Sequence, residues 1–255
     1  MNLRTLCATS LAALSSGCAS LPLSEGWSRA REAALLAARD PWVWAPLTGA
    51  AALQLGNADH RIARWAMRET PVFGSAARAG SASDTLRSVA VVADAAVVLL
   101  EPREGTSRNW LEDKALNYGE DLAAATVATG ATHVLKSAAG RMRPSGQDSE
   151  SFPSGHVTTA AAYDRLAVMR LQRFDLDPTL TQGLGYGLDA VTFATAWARI
   201  EAGAHYPSDT FAGIAIGAFS AKFFALALRG DAAPRVAVSV APQRGGLQLS
   251  WRLAY

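Results

Sequence analysis

The sequence predicts an all-α protein, a helical bundle ending in a short C-terminal β-hairpin. Beyond its N-terminal leader the chain runs as successive segments rich in Ala, Leu and Val, broken by Pro, Gly and Asp and showing no repeat period. Several segments open on a capping residue and close just before a proline, which marks helix starts and stops. Only the last stretch changes to period two. There Val236, Val238 and Val240 alternate with small or polar residues, Gly245-Gly246 follows, and Leu247, Leu249, Trp251, Leu253 and Tyr255 share one face of a second strand.

The leader, MNLRTLCATSLAALSSGCAS, has an early positive charge at Arg4, a short apolar run from Leu6 to Leu14 and small residues before Cys18. That is the order of a secretory signal peptide, here spanning 1–17. Ser15-Ser16-Gly17 before Cys18 resembles a bacterial lipobox, although Leu14 stands one position further from the cysteine than usual. The resemblance implies a lipidated Cys18 as the mature N-terminus and, with Ala19 rather than aspartate following, an outer-membrane anchor facing the periplasm. The alternative is an uncleaved anchor in an inner-membrane protein with several spans. Both cysteines, Cys7 and Cys18, lie in the leader, so a mature chain forms no internal disulfide and relies on packing.

The domain proper is expected over 18–230, with the hairpin at 231–255 packed on it or extending it. Helices are expected at Ser28–Arg39, at Pro41–Leu55 with Asp40 as N-cap, at Ala58–Glu69 before Thr70-Pro71, and at Ser83–Leu100 before Glu101-Pro102. A long helix follows over Asn109–Ala139, then Val157–Arg173, Thr181–Ile200 and Pro207–Arg229. A transmembrane helix needs about 20 mostly apolar residues. Most of these segments are interrupted by a charge such as Asp94, Glu120, Asp121, Asp189 or Lys222, and the mean hydropathy is +0.10. The pattern favours a soluble or membrane-resting bundle over several short spans. A formal net charge of +2 without a Lys/Arg block argues against nucleic-acid binding.

Three short stretches gather chemistry. In KSAAGRMRP, Lys136 and Arg143 are about two helical turns apart, so a continuous helix would place both on one face, while Gly140 and Pro144 suggest that the helix frays or ends between them. In FPSGHVTT, Ser154 is a plausible N-cap and His156 falls in the first turn, where unpartnered N–H groups attract anions. In ARIEAGAHYPSDT, a helix starting at Pro207 puts Asp209 in its first turn, able to reach back to His205 and fix its tautomer. Each alone also reads as an ordinary helix end.

In their order and spacing, Lys136, Arg143-Pro144, Pro153-Ser154-Gly155-His156 and Arg199 with His205 and Asp209 resemble the motifs of the type 2 phosphatidic acid phosphatase superfamily. That group includes lipid phosphatases, non-specific acid phosphatases and vanadium haloperoxidases. The resemblance covers Lys136 to Asp209 and implies a helical bundle of that kind. It implies that Lys136, Arg143, Ser154, Gly155 and Arg199 cradle phosphate. His205 is then the nucleophile forming a phosphohistidine, Asp209 its orienting group, and His156 the general acid and later base. No metal or other cofactor is implied. Ala198 replaces the serine usual before the arginine, and the Pro144–Pro153 gap is short, leaving the site open toward a bulky headgroup.

The expected substrate is a phosphorylated lipid (phosphatidate, an isoprenyl diphosphate or a lipid A phosphate) or a small phosphate ester, met at a membrane surface through the lipid anchor. The rival readings are a vanadium-dependent haloperoxidase and a non-catalytic envelope lipoprotein that binds a partner through its hairpin. Asp148 and Glu150 are expected to be solvated, Glu201 to tune Arg199, and His60 and His133 to play no part in the chemistry.

Overall fold

The computed structural model describes residues 23–102, 109–229, 235–243 and 246–254. The leader, with Cys7, Cys18 and the expected cleavage site, lies outside them, as does Tyr255. Eight helices are present among the described residues: α1 (Leu23–Ala38), α2 (Pro41–Gln54), α3 (Ala58–Glu69), α4 (Ala76–Leu100), α5 (Trp110–Ala139), α6 (Gly155–Leu171), α7 (Pro178–Glu201) and α8 (Pro207–Phe224), the last continuing into a wider π-helical turn over Ala225–Arg229. A 3₁₀ turn over Leu55–Asn57 links α2 to α3.

The starts follow the capping logic, with three corrections, the first being that α1 begins at Leu23 rather than Ser28. Asp40 caps α2 by accepting from the Trp42 N–H at 2.9 Å, as its place before Pro41 suggests. Helix α4 begins a full turn and more before Ser83, because Ser75 caps it through a bond from the Arg78 N–H at 3.2 Å and Ala79 and Ser83 are both buried on its inner face. Burial there outweighs the poor helix propensity of Gly80 and the serines. Helix α7 likewise starts at Pro178 rather than Thr181, since Asp177 accepts from the Thr179 N–H at 2.8 Å.

Helix α6 is the central strut. Val157, Thr158, Ala160, Ala161, Ala162, Leu166 and Ala167 are all buried along it, and α4, α5, α7 and α8 pack around it. The tightest approach is to α8. A Cβ added at Gly217 would stand 2.5 Å from the Thr158 carbonyl oxygen and 2.8 Å from the Ala162 nitrogen, and one at Gly213 would stand 2.8 Å from the Ser154 carbonyl oxygen. Two glycines one turn apart thus let the backbones meet, the small-residue device of close helix pairs. The contact runs to the helix starts, where the Ser154 N–H donates to the Asp209 carbonyl at 3.0 Å.

At the opposite end of the bundle a buried ionic cluster joins α4, α5 and α6. The Arg170 guanidinium, fully buried, donates to Glu101 at 2.5 Å, to Asp121 at 2.8 Å and to the Asn117 carbonyl at 2.8 Å. Lys114 adds a bond to the Glu101 carbonyl at 2.5 Å. Buried charge is tolerable only with such complete pairing.

Because the interior is filled largely by alanine, many large side chains point outward, among them Trp27, Trp44, Trp65, Leu99, Leu100, Val134 and Tyr186. One helical stretch among the described residues, Pro207–Leu228, is long and apolar enough to cross a membrane, and more than half of it is buried inside the bundle. The hairpin forms as strands β1 (Arg235–Gln243) and β2 (Gly246–Ala254). Its backbone register pairs Val236 with Leu253, Val238 with Trp251 and Val240 with Leu249.

Candidate active site

Four helix ends and one loop build the site. Helix α5 delivers Lys136 in its last turn and stops at Gly140, whose φ of +53° is a left-handed cap. Arg141 and Arg143 therefore come from the following loop and not from a continued helix face. The same loop folds back on the site: the Ser151 N–H donates to the Arg141 carbonyl at 2.9 Å, and the Lys136 ammonium donates to the Glu150 carbonyl. Helix α6 begins at Gly155 with Ser154 as N-cap and His156 in the first turn. Helix α7 ends just after Arg199, and the left-handed Gly203 turns the chain toward His205 and α8.

The structure brings Lys136, Arg143, Ser154, Gly155, His156, Arg199, His205 and Asp209 to this end of the bundle, but several do not stand as the sequence suggests. Ser154 makes no side-chain cap bond. Its hydroxyl is fully buried without a hydrogen-bond partner, and so is the Arg199 Nε. Buried polar groups are almost always satisfied, so these two orphans mark a place where an acceptor-rich ligand belongs. Burial and the neighbouring Arg143 push the Arg199 guanidinium down to about 10. Burial and Arg143 also lower Lys136. The cations repel one another there, as they must where an anion is to be received.

His205 is held differently from the expectation. Its Nδ1 lies 2.5 Å from the Ser151 carbonyl oxygen. A carbonyl can only accept, so Nδ1 carries the hydrogen and Nε2 keeps its lone pair. The Asp209 carboxylate instead accepts from Arg141 at 2.5 Å, the Ser151 hydroxyl at 2.5 Å and the Tyr206 N–H at 2.8 Å. Asp209 thus reaches His205 through Ser151 and not by direct contact. Burial, then Arg199 and Lys136, hold His205 well below its ordinary value, so the ring is neutral.

The sequence reading missed four residues. Arg141 bridges Asp209 and Asp59, the latter at 2.6 Å, and lies 4.1 Å above the Tyr206 ring. Asp59 is buried at the start of α3 and also accepts from the Ser208 N–H at 2.8 Å and the Ser208 hydroxyl at 2.6 Å. Asp84 stands 2.7 Å from the His156 Nε2. Ser151 links Asp209 to His205. Arg141 could have been noticed from its place in the run RMRP, but nothing in the sequence marks Asp59 or Asp84.

Asp148 and Glu150 are exposed, as expected; the Asp148 carboxylate also accepts from the Glu150 N–H at 2.9 Å and from the Arg143 Nε at 2.6 Å, bonds that hold it below the usual carboxylate range. One further expectation is corrected. Glu201 does not tune Arg199. Buried, it accepts from the Val72 and Phe73 N–H groups at 2.9 and 3.0 Å and from Trp197 at 2.5 Å, anchoring the turn after α3. Of the spare histidines, His60 packs edge-on against Tyr206, and His133 lines an open cavity of about 370 Å³ between α5 and α6. Among the described residues, no cluster of His, Cys, Asp and Glu is placed to hold a metal ion.

An orphaned serine and arginine, a neutral buried histidine and surrounding cations suit an anionic ligand of phosphate type. Residues 118–231 match the family model of the PAP2 superfamily. The matched PAP2 segment runs from α5 through α8 and holds every motif residue; α1 to α4 precede it. A lipid A 1-phosphatase of Rhizobium johnstonii is 33% identical over 102 residues, covering 34% of this chain and 38% of the relative. The alignment thus spans about two fifths of that relative's length. The crystal structure of a transmembrane PAP2 type phosphatidylglycerolphosphate phosphatase from Bacillus subtilis superposes with a TM-score of 0.51 at 19% identity, covering 73% of this chain and 92% of that one. The all-α bundle is therefore of the PAP2 kind.

Proposed function

We propose that this protein is a membrane-associated lipid phosphatase working through a phosphohistidine. The observation that carries this is the neutral His205 with its Nε2 lone pair free, beside a cradle whose Ser154 hydroxyl and Arg199 Nε have no partner. Phosphoryl transfer asks chiefly for positioning and for positive charge about the equatorial oxygens, and Lys136, Arg143 and Arg199 supply it. His205 Nε2 attacks phosphorus. As the ester P–O bond breaks, protonated His156 gives its proton to the leaving oxygen. Neutral His156 then takes a proton from water, which attacks phosphorus and releases phosphate and His205. The Gly155 N–H completes the cradle.

A lipid substrate is supported by the names of both relatives and by the apolar exterior. The lipobox-like leader supports attachment at Cys18 and a periplasmic, outer-membrane setting, which mass spectrometry of the mature N-terminus tests directly. Purified protein in mixed micelles should release phosphate from phosphatidate, an isoprenyl diphosphate or a lipid A phosphate, with vanadate inhibiting as a transition-state mimic and chelators having little effect. His205→Ala should abolish release while keeping the helical circular dichroism. Full turnover in that variant would remove His205 as nucleophile.

A further inference from the structure

The PAP2 motifs account for α5 to α8, yet two consecutive residues of α4 touch the site. Ser83, fully buried, accepts from the Arg199 Nη1 at 3.3 Å, and Asp84 stands 2.7 Å from the His156 Nε2. Neither lies in the matched segment 118–231. The Asp84 side chain is 61% exposed, so its ion pair with His156 is not required to fill the interior. With Nε2 engaged, the other ring nitrogen, Nδ1, is the one left to meet a substrate.

We propose that Asp84 is a positioning residue for His156, holding Nε2–H so that Nδ1–H is presented to the leaving oxygen of the ester. This rests on the phosphatase reading of the site. The charged groups facing the ring are Asp84 and Arg87 from α4 and Arg199 from α7. Burial and the two arginines favour the neutral ring, and Asp84 opposes them. A general acid must be protonated to act, so the carboxylate supports both the direction and the occupancy of the proton. The step balances: Nδ1 loses its proton to the ester oxygen as the P–O bond breaks, the alcohol leaves neutral, and the phosphoryl group stays on His205.

The test compares Asp84→Asn, Asp84→Glu and His156→Ala in the full chain, each checked for thermal stability. Two substrates are used, phosphatidate, whose alcohol needs a proton to leave, and p-nitrophenyl phosphate, whose phenolate does not. General acid catalysis contributes roughly 10²–10⁴-fold. Asp84→Asn should lose about ten- to a hundredfold in kcat on phosphatidate and less than about threefold on p-nitrophenyl phosphate. The alkaline limb of its pH profile should move to lower pH, and Asp84→Glu should recover part of the loss. Equal losses on the two substrates, or none, in Asp84→Asn alone overturn the role of Asp84. Equal losses in His156→Ala overturn the acid assignment itself, and no phosphate release by the unaltered protein from these two esters, an isoprenyl diphosphate or a lipid A phosphate overturns the phosphatase reading with it.

Discussion

Asp59 offers the sharpest test of how the site is held. Its side chain is 1% exposed and accepts from the Ser208 N–H, the Ser208 hydroxyl and Arg141 within 2.8 Å, with Gln54 at 3.2 Å. Asp59→Asn keeps the volume, removes the charge and turns one acceptor into a donor facing other donors. Breaking a buried ion pair from one side costs about 3–5 kcal/mol. Arg141 is 23% exposed and retains Asp209, so the lower end, about 3 kcal/mol, is expected. At about 1.36 kcal/mol per tenfold, that lowers the folded-to-unfolded ratio by roughly a hundredfold. Denaturant unfolding followed by circular dichroism in detergent measures it, with phosphate release alongside. Because Ser208 and Arg141 flank Asp209, turnover should fall as well. A midpoint and kcat/KM both unchanged would refute the bracing of α8 by α3. Glu69→Ala, which breaks an exposed pair with Arg68, should change neither.

Gly217→Ala should disrupt the α6–α8 contact and lower both thermal stability and activity, because its Cβ meets backbone at 2.5 Å, whereas Gly49→Ala, 3.6 Å from the Phe211 ring, should be tolerated. The pH profile of kcat/KM should have an acid optimum: His156 is lowered from 6.5 by burial and Arg199, so the acid form is lost as pH rises through a midpoint below that value, while the strongly lowered His205 stays neutral. A rate that climbs between pH 6.5 and 9 would contradict this. Asp148→Ala frees Arg143 from its 2.6 Å partner and should tighten inhibition by inorganic phosphate a few-fold in steady-state assays.

Much of this was legible in the sequence because helix ends carry local signals. Asp40-Pro41, Tyr206-Pro207 and the glycine after Ala139 set boundaries by chemistry confined to a few residues, and the motif residues follow those boundaries. What stayed hidden depends on contacts between distant segments. Asp59 and Asp84 are acidic residues in ordinary helical surroundings until tertiary packing puts Arg141 and His156 beside them. The exchange of Asp209 for the Ser151 carbonyl at His205 was hidden for the same reason: a backbone oxygen has no sequence signature. The early start of α4 was missed because burial of Ala79 and Ser83 decides it, and propensity alone points the other way.

Ser151 has a consequence for the field an incoming substrate meets. A carboxylate placed directly on His205 would sit as a negative charge close to a phosphate dianion and repel it. Here the imidazole is steered by a neutral peptide oxygen, while the Asp209 carboxylate is paired with Arg141, which it shares with Asp59. The nucleophile therefore gains its orientation without a carboxylate in direct contact with its ring, where the substrate phosphate must approach.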